Sequence, residues 1–163
     1  MLKYLYTKVV FAEVPDEITL GISFSGCPIR CKGCHSPELW NNDGTYMSFE
    51  ELDKLILSNE GITCVGLFGG DQNPTDIYMY AKYIKKVYNL KVAWYSGRKE
   101  VPHPRYYNAF DYIKVGPYIE ALGGLTSPTT NQKFYKVIDN KLINITYKFN
   151  GTISETENIC TAS

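Results

Sequence analysis

The stretch GISFSGCPIRCKGCHSPELW, residues 21–40, limits the possible folds of this chain more than any other. The apolar run ITLGISFSG (18–26) reads as a buried strand, and it runs straight into a loop carrying Cys27, Cys31 and Cys34, with His35 directly after the last. Pro28 and Gly33 lie inside the cysteine spacing C-x3-C-x2-C and argue for a loop rather than a regular helix. A short loop at a strand end can curl until three thiolates face one region of space. The fold therefore has to present a strand end to an open face.

The remaining pattern alternates strand and helix. SFEELDKLILS (48–58) starts with Ser48 as N-cap and has Glu51 at the capping-box spacing; Phe49, Leu52, Leu55 and Ile56 then recur at helical intervals. GITCVGLFGGD (61–71) reads as a buried strand ending in a glycine pair, and PTDIYMYAKYIKKVY (74–88) as a helix with Ile77, Tyr80, Ala81, Ile84 and Val87 on one face. KVAWYSG (91–97) and DYIKVG (111–116) are short strands followed by glycine. This succession predicts an α/β fold with a parallel sheet and helical crossovers. KFYKVIDNKLINITYKF (133–149) departs from it as two strands around an Asp139-Asn140 turn, a C-terminal β-hairpin. The reading divides the chain into one domain over residues 1–150 and a polar tail over 151–163.

Composition narrows the function classes. The 163 residues are 44% hydrophobic and 21% charged, in the range of an ordered globular domain with a real core. Lys+Arg and Asp+Glu both number 17, so no basic excess points to nucleic acid. Lys3, Lys8, Glu13, Asp16 and Glu17 interrupt the first twenty residues, and no apolar run is long enough to cross a bilayer. The expectation is a cytoplasmic protein without a membrane role. Thiols stay reduced there, and clustered cysteines serve as metal ligands or catalysts more often than as disulfides.

Which metal do three such cysteines suit? A structural zinc site needs a fourth ligand, and zinc spacings pair two short units far apart in sequence, of which the second is missing here. CKGCH matches the c-type haem attachment pattern, but haem would require export and a distal axial ligand. Ordinary core cysteines would not sit beside Arg30 and Lys32 in a loop of this composition. An iron–sulfur cluster remains. A 4Fe–4S cubane normally takes four thiolates, so three leave one iron open, as catalytic metal sites do. Cys64 lies mid-strand in an apolar run and Cys160 in the polar tail; neither reads as a fourth ligand.

In these residues the chain resembles the radical S-adenosylmethionine enzymes, and GCPIRCKGCHSPELW is similar to the cluster loop of anaerobic ribonucleoside-triphosphate reductase activating proteins. The likeness extends through FGGD (68–71), WYSG (94–97) and DYIKVGPYIEALGGLTSPTTNQKFYKV (111–137), in the family's order and at its compact length. It departs where Gln72 and Asn73 precede the proline that usually follows Gly-Gly-Asp, and where VPDEITL replaces a glycine-rich stretch.

The resemblance implies an incomplete, open βα barrel of about six strands, with one side left open for a peptide loop. It implies a 4Fe–4S cluster on Cys27, Cys31 and Cys34, with S-adenosylmethionine chelating the open iron. Gly33, Cys34 and His35 would flank the adenine with backbone. Gly69 and Gly70 would offer carbonyls to the ammonium group of the ligand, and Asp71 would steer that ammonium or cap the next helix. Ser96 and Asn131 would bond its ribose or carboxylate, while Trp40 and Trp94 are packing residues. The implied activity is reductive cleavage of S-adenosylmethionine and abstraction of hydrogen from a backbone glycine. The implied partners are the large glycyl-radical subunit of anaerobic ribonucleotide reductase and a low-potential electron donor such as flavodoxin or ferredoxin. An activase of another glycyl-radical enzyme, or a non-catalytic iron–sulfur or zinc module, is the alternative.

Overall fold

The computed structural model describes residues 1–152 and the backbone of residues 159–161. Its strands are β1 (Lys3–Val10), β2 (Thr19–Phe24), β3 (Thr45–Tyr46), β4 (Cys64–Phe68), β5 (Lys91–Tyr95), β6 (Tyr112–Val115), β7 (Lys133–Ile138), β8 (Lys141–Asn144) and β9 (Ile159–Thr161). The α-helices are α1 (Phe49–Leu57), α2 (Pro74–Tyr88) and the single turn α3 (Tyr147–Asn150). All strands join one sheet in the order β3-β1-β2-β4-β5-β6-β7-β8-β9. β2, β4, β5 and β6 run parallel to one another; β1 pairs antiparallel with β2 and β3 with β1 on one side, and β7, β8 and β9 continue from β6 in antiparallel pairs on the other.

The expected incomplete, open βα barrel is therefore wrong. The protein is built on a mixed sheet with few helices. A parallel barrel needs a covering crossover between successive strands. Here α2 is the one long crossover helix, and β5 reaches β6 through a 3-10 turn at Pro104–Ala109. The chain then turns back, so each parallel edge is capped by an antiparallel strand instead of closing on the other. Residues 153–158 and 162–163 of the expected polar tail lie outside the described residues, while the backbone of 159–161 pairs with β8.

Local chemistry explains the elements. Ser48 caps α1 by accepting the Glu51 N–H at 3.1 Å, and Asn73 caps α2 through Asp76 N–H at 3.2 Å, with Pro74 at the first helical position. Asp139 and Asn140 take φ of +50° and +58° between the paired residues Ile138 and Lys141, the two-residue turn that suits a twisted hairpin. Period-two alternation then sorts the parallel strands. Leu20, Ile22, Val65, Leu67, Val92, Trp94, Ile113 and Val115 pack with Leu52, Ile56, Ile77, Ala81 and Ile84 of the helices in one buried core. Gly21, Ser23, Phe68, Tyr95 and Lys114 point the other way and line a cavity. A Cβ at Gly21 or Gly66 would lie 2.5 or 2.6 Å from the Phe68 ring, so the two glycines let that ring lie flat on the sheet. No helix among the described residues is long and apolar enough to cross a membrane.

Candidate metal centre at the ends of the parallel strands

The cysteine loop is closed at its base by backbone bonds. Gly26 leaves β2 at φ +77° and donates its N–H to Asn41 O at 2.8 Å, and Cys27 N–H donates to Leu39 O at 2.9 Å. A 3-10 turn at Pro37–Trp40 fills the return arm. Within the loop, Cys34 N–H donates to Cys31 O at 3.1 Å, and Ser36 N–H donates to Cys34 Sγ at 3.4 Å. Outside it, Gln72 Nε2 donates to Ser25 O at 2.5 Å and Ser25 Oγ to Asp43 O at 2.5 Å, fixing the loop to the turn after β4. Cys27, Cys31 and Cys34 are free, partly buried thiols.

All three line one cavity of about 560 Å³, on the sheet face turned away from α1 and α2. The rings of Tyr6, Phe68, Tyr95 and Tyr118 help form its wall. Of the residues singled out from sequence, His35, Gly69, Asp71 and Ser96 also reach it, whereas Gly33, Gly70 and Asn131 do not line it. His35 stacks at a tilt on Tyr118, with ring centroids 5.0 Å apart. Gly69 O already accepts Trp94 Nε1–H at 2.9 Å, using one of its two lone pairs. Gly70 faces the helix-side core: a Cβ there would sit 2.4 Å from Ile77 Cδ1, and its carbonyl accepts Asn73 N–H at 3.0 Å. Asn131 Nδ2 donates to Pro117 O at 3.0 Å, and its buried Oδ1 has no partner among the described residues.

Asp71 is neither a helix cap nor an open carboxylate. It is 1% exposed; Oδ1 accepts Ser96 Oγ–H at 2.6 Å and Oδ2 accepts Gly97 N–H at 2.8 Å. Arg98 Nε lies 3.7 Å from Oδ1, and Arg98 Nη2 donates to Asp71 O at 2.6 Å. The residue thus pins the loop after β5 to the loop after β4, and Ser96 spends its hydroxyl hydrogen inside that pin.

Sequence reasoning missed Lys114, on the cavity face of β6. Its ammonium donates to Gly116 O at 2.9 Å. Burial pulls the amine down to about 8, against Asp71 and the thiols of Cys31, Cys34 and Cys27, which favour the charged form. A lysine among apolar residues of a short strand was the only signal. Trp40, read from sequence as a packing residue, lines the cavity, and its buried Nε1–H has no protein partner among the described residues; Gln72, read only as a departure from the family pattern, anchors the cysteine loop. Cys64 lies apart in a second buried cluster with Val14, Ala93 and Phe134, its thiol pushed up to about 12 by burial.

Among the described residues no three His, Cys, Asp or Glu side chains converge closely enough to hold a single metal ion. A cubane does not ask for that convergence, because each thiolate binds a different iron. The donor set fits such a group: three free thiols share a cavity, one sulfur already accepts a backbone N–H, and a cation stands nearby. A family model described as a 4Fe-4S single cluster domain matches residues 18–102, just over half of the chain, from β2 through the loop after β5. Neither the curated proteins nor the solved structures return a match.

Proposed function

The chain belongs to the family of 4Fe–4S single-cluster domains, and from that premise we propose that it is a radical S-adenosylmethionine enzyme that activates the glycyl-radical subunit of an anaerobic ribonucleotide reductase. The observation that carries the reading is the sharing of one roomy cavity by three cysteines and, among the described residues, no fourth. Three thiolates of Cys27, Cys31 and Cys34 would hold the cluster and leave one iron for a ligand. When bound, a reduced cluster of this kind supplies the electron that breaks a sulfonium C–S bond of S-adenosylmethionine, yielding a carbon radical able to take hydrogen from a glycine.

The chain's own residues supply the setting. Ser36 N–H donates to the Cys34 sulfur, a bond that would orient it as a ligand. Phe68, Tyr95 and Tyr118 give the cavity apolar walls. Asp71 holds Ser96 and Gly97 at its rim, so ligand groups would meet a fixed backbone edge. A protein substrate would have to bring a backbone segment to the cavity that the three cysteines line. A glycine on such a segment has no side chain to obstruct approach. The electron would come from a low-potential donor of the flavodoxin or ferredoxin kind.

The test uses anaerobically reconstituted, reduced protein mixed with S-adenosylmethionine, alone and with the reductase subunit. The proposal expects 5′-deoxyadenosine and, with the subunit, a glycyl-radical doublet by electron paramagnetic resonance that vanishes when the acceptor glycine is alanine. Iron-loaded protein that leaves S-adenosylmethionine intact would instead be an electron-transfer module. A doublet that persists in the alanine variant would refute the activase role.

A further inference from the structure

We infer that Lys114 is the counter-charge of the three-cysteine centre: from the cavity face of β6 its ammonium offsets the ligated thiolates and sets how readily a cluster there accepts an electron. The inference rests on the reading of Cys27, Cys31 and Cys34 as cluster ligands, and it assigns a role to a residue outside the cysteine loop.

The geometry singles this residue out. β6 is an interior strand, between β5 and β7, and Ile113 and Val115 on either side of Lys114 enter the helix-side core. Alternation forces Lys114 onto the opposite face, where it lines the cavity with the three thiols. A partly buried ammonium has three donors to satisfy, and Gly116 O is the hydrogen-bond acceptor given to it among the described residues. The carboxylate within its field, Asp71, already accepts from Ser96 and Gly97 and faces Arg98. One bond to a backbone carbonyl does not require a lysine, since a glutamine amide can make it without bringing a charge out of water. Negative charge gathered in the same cavity gives the ammonium a use, and all three cysteines line that cavity with it.

The other charged residues around the cavity are less well placed. Lys8 and Glu13 lie at the β1 side, where Lys8 is exposed and screened by water. The electron step itself is simple. One electron passes from an external low-potential reductant to the cluster, no bond to the protein forms or breaks, no proton is taken, and the negative charge of the centre rises by one. A fixed cation near the centre stabilises the reduced form more than the oxidised form. Removing it makes reduction harder.

The experiment reconstitutes wild-type protein and the Lys114→Gln, Lys114→Met, Lys114→Arg and Lys8→Gln variants without oxygen. Iron content comes first, and then the midpoint potential is read by electron paramagnetic resonance during titration with dithionite. The expected result is equal iron in all five, with the reduced-to-oxidised ratio at a given potential lowered about tenfold in the Gln and Met variants, or 59 mV more negative for a one-electron couple. Lys114→Arg and Lys8→Gln should stay near wild type. An unchanged or higher potential in both uncharged Lys114 variants would overturn the inference. So would loss of iron from both while the wild type loads normally, since that marks a structural lysine. Failure of the wild type to bind iron would instead overturn the cluster reading beneath it.

Discussion

Both ends of the parallel strands carry a buried carboxylate, and the two are used differently. At the starting ends, Glu17 Oε2 accepts Thr63 Oγ–H at 2.5 Å, while Oε1 accepts from Tyr112 OH at 2.9 Å and from Lys91 Nζ. These partners stand just before β4 and at the first residues of β6 and β5, so one side chain ties three strands together. Burial alone would raise the Glu17 carboxyl. The hydrogen bonds from Lys91, Thr63 and Tyr112, with the charge of Lys91, outweigh burial and hold it below 4.5. At the finishing ends, Asp71 is equally well bonded, but around the same cavity remain groups with capacity unused among the described residues: three thiols, the Lys114 ammonium and the Trp40 N–H. A polar cluster that satisfies itself contributes to the fold; one that leaves donors and charges over around a cavity is equipped to bind.

The sharpest way to break this contrast is Glu17→Ala. It strands the hydroxyls of Tyr112 and Thr63 and the ammonium of Lys91, and should cost roughly 3 kcal/mol in urea unfolding while leaving iron per folded chain unchanged. Because the carboxyl is held below 4.5, its contribution is present above that pH and is lost as pH falls through the lowered folded value. The wild type should therefore lose its advantage over Glu17→Gln in acid. A variant within about 0.5 kcal/mol of wild type at neutral pH would show that the starting ends are held by packing alone.

A smaller effect is expected at Gly70. Valine there places a Cβ against Ile77 at a φ of +80°, so Gly70→Val should lose about 2 kcal/mol, retain iron and leave the cavity as it is. Weakened ligand binding without loss of stability would return Gly70 to the site. Smallest of the three is Gln72→Ala, which removes the donor to Ser25 O and should cost about 1 kcal/mol. It should slow cluster loading without abolishing it, because the backbone bonds at Gly26 and Cys27 still close the loop.

Much of the fold could be read ahead of the structure where periodicity was strong. Ser48 and Glu51 marked α1, Pro74 opened α2, and Asp139-Asn140 placed the hairpin between β7 and β8. The sheet order could not be read, because pairing β1 and β7 antiparallel to the edges of the parallel strands is decided by contacts far apart in sequence. β1 itself was missed: Lys3 and Lys8 interrupt its apolar positions, and Tyr4 and Tyr6 mask the alternation. In the site, the cysteine loop was evident from spacing, but the roles of its neighbours were not. A Gly-Gly pair looks the same whether its Cα faces a ligand or, as at Gly70, an isoleucine. Asp71 read equally as a cap or a ligand group until Asn73 proved to be the cap and Ser96, Gly97 and Arg98 the partners of Asp71.

The central claim is that the cavity at the finishing ends holds one 4Fe–4S cluster on three thiolates. The direct measurement is the iron content of anaerobically reconstituted protein, compared across Cys27→Ala, Cys31→Ala, Cys34→Ala and Cys64→Ala, with absorbance from the thiolate-to-iron bands. The account predicts about four irons per chain in the wild type and in Cys64→Ala, and loss of the cluster in each of the other three. A full, stable cluster in Cys31→Ala, or its loss in Cys64→Ala with the fold intact, would contradict it.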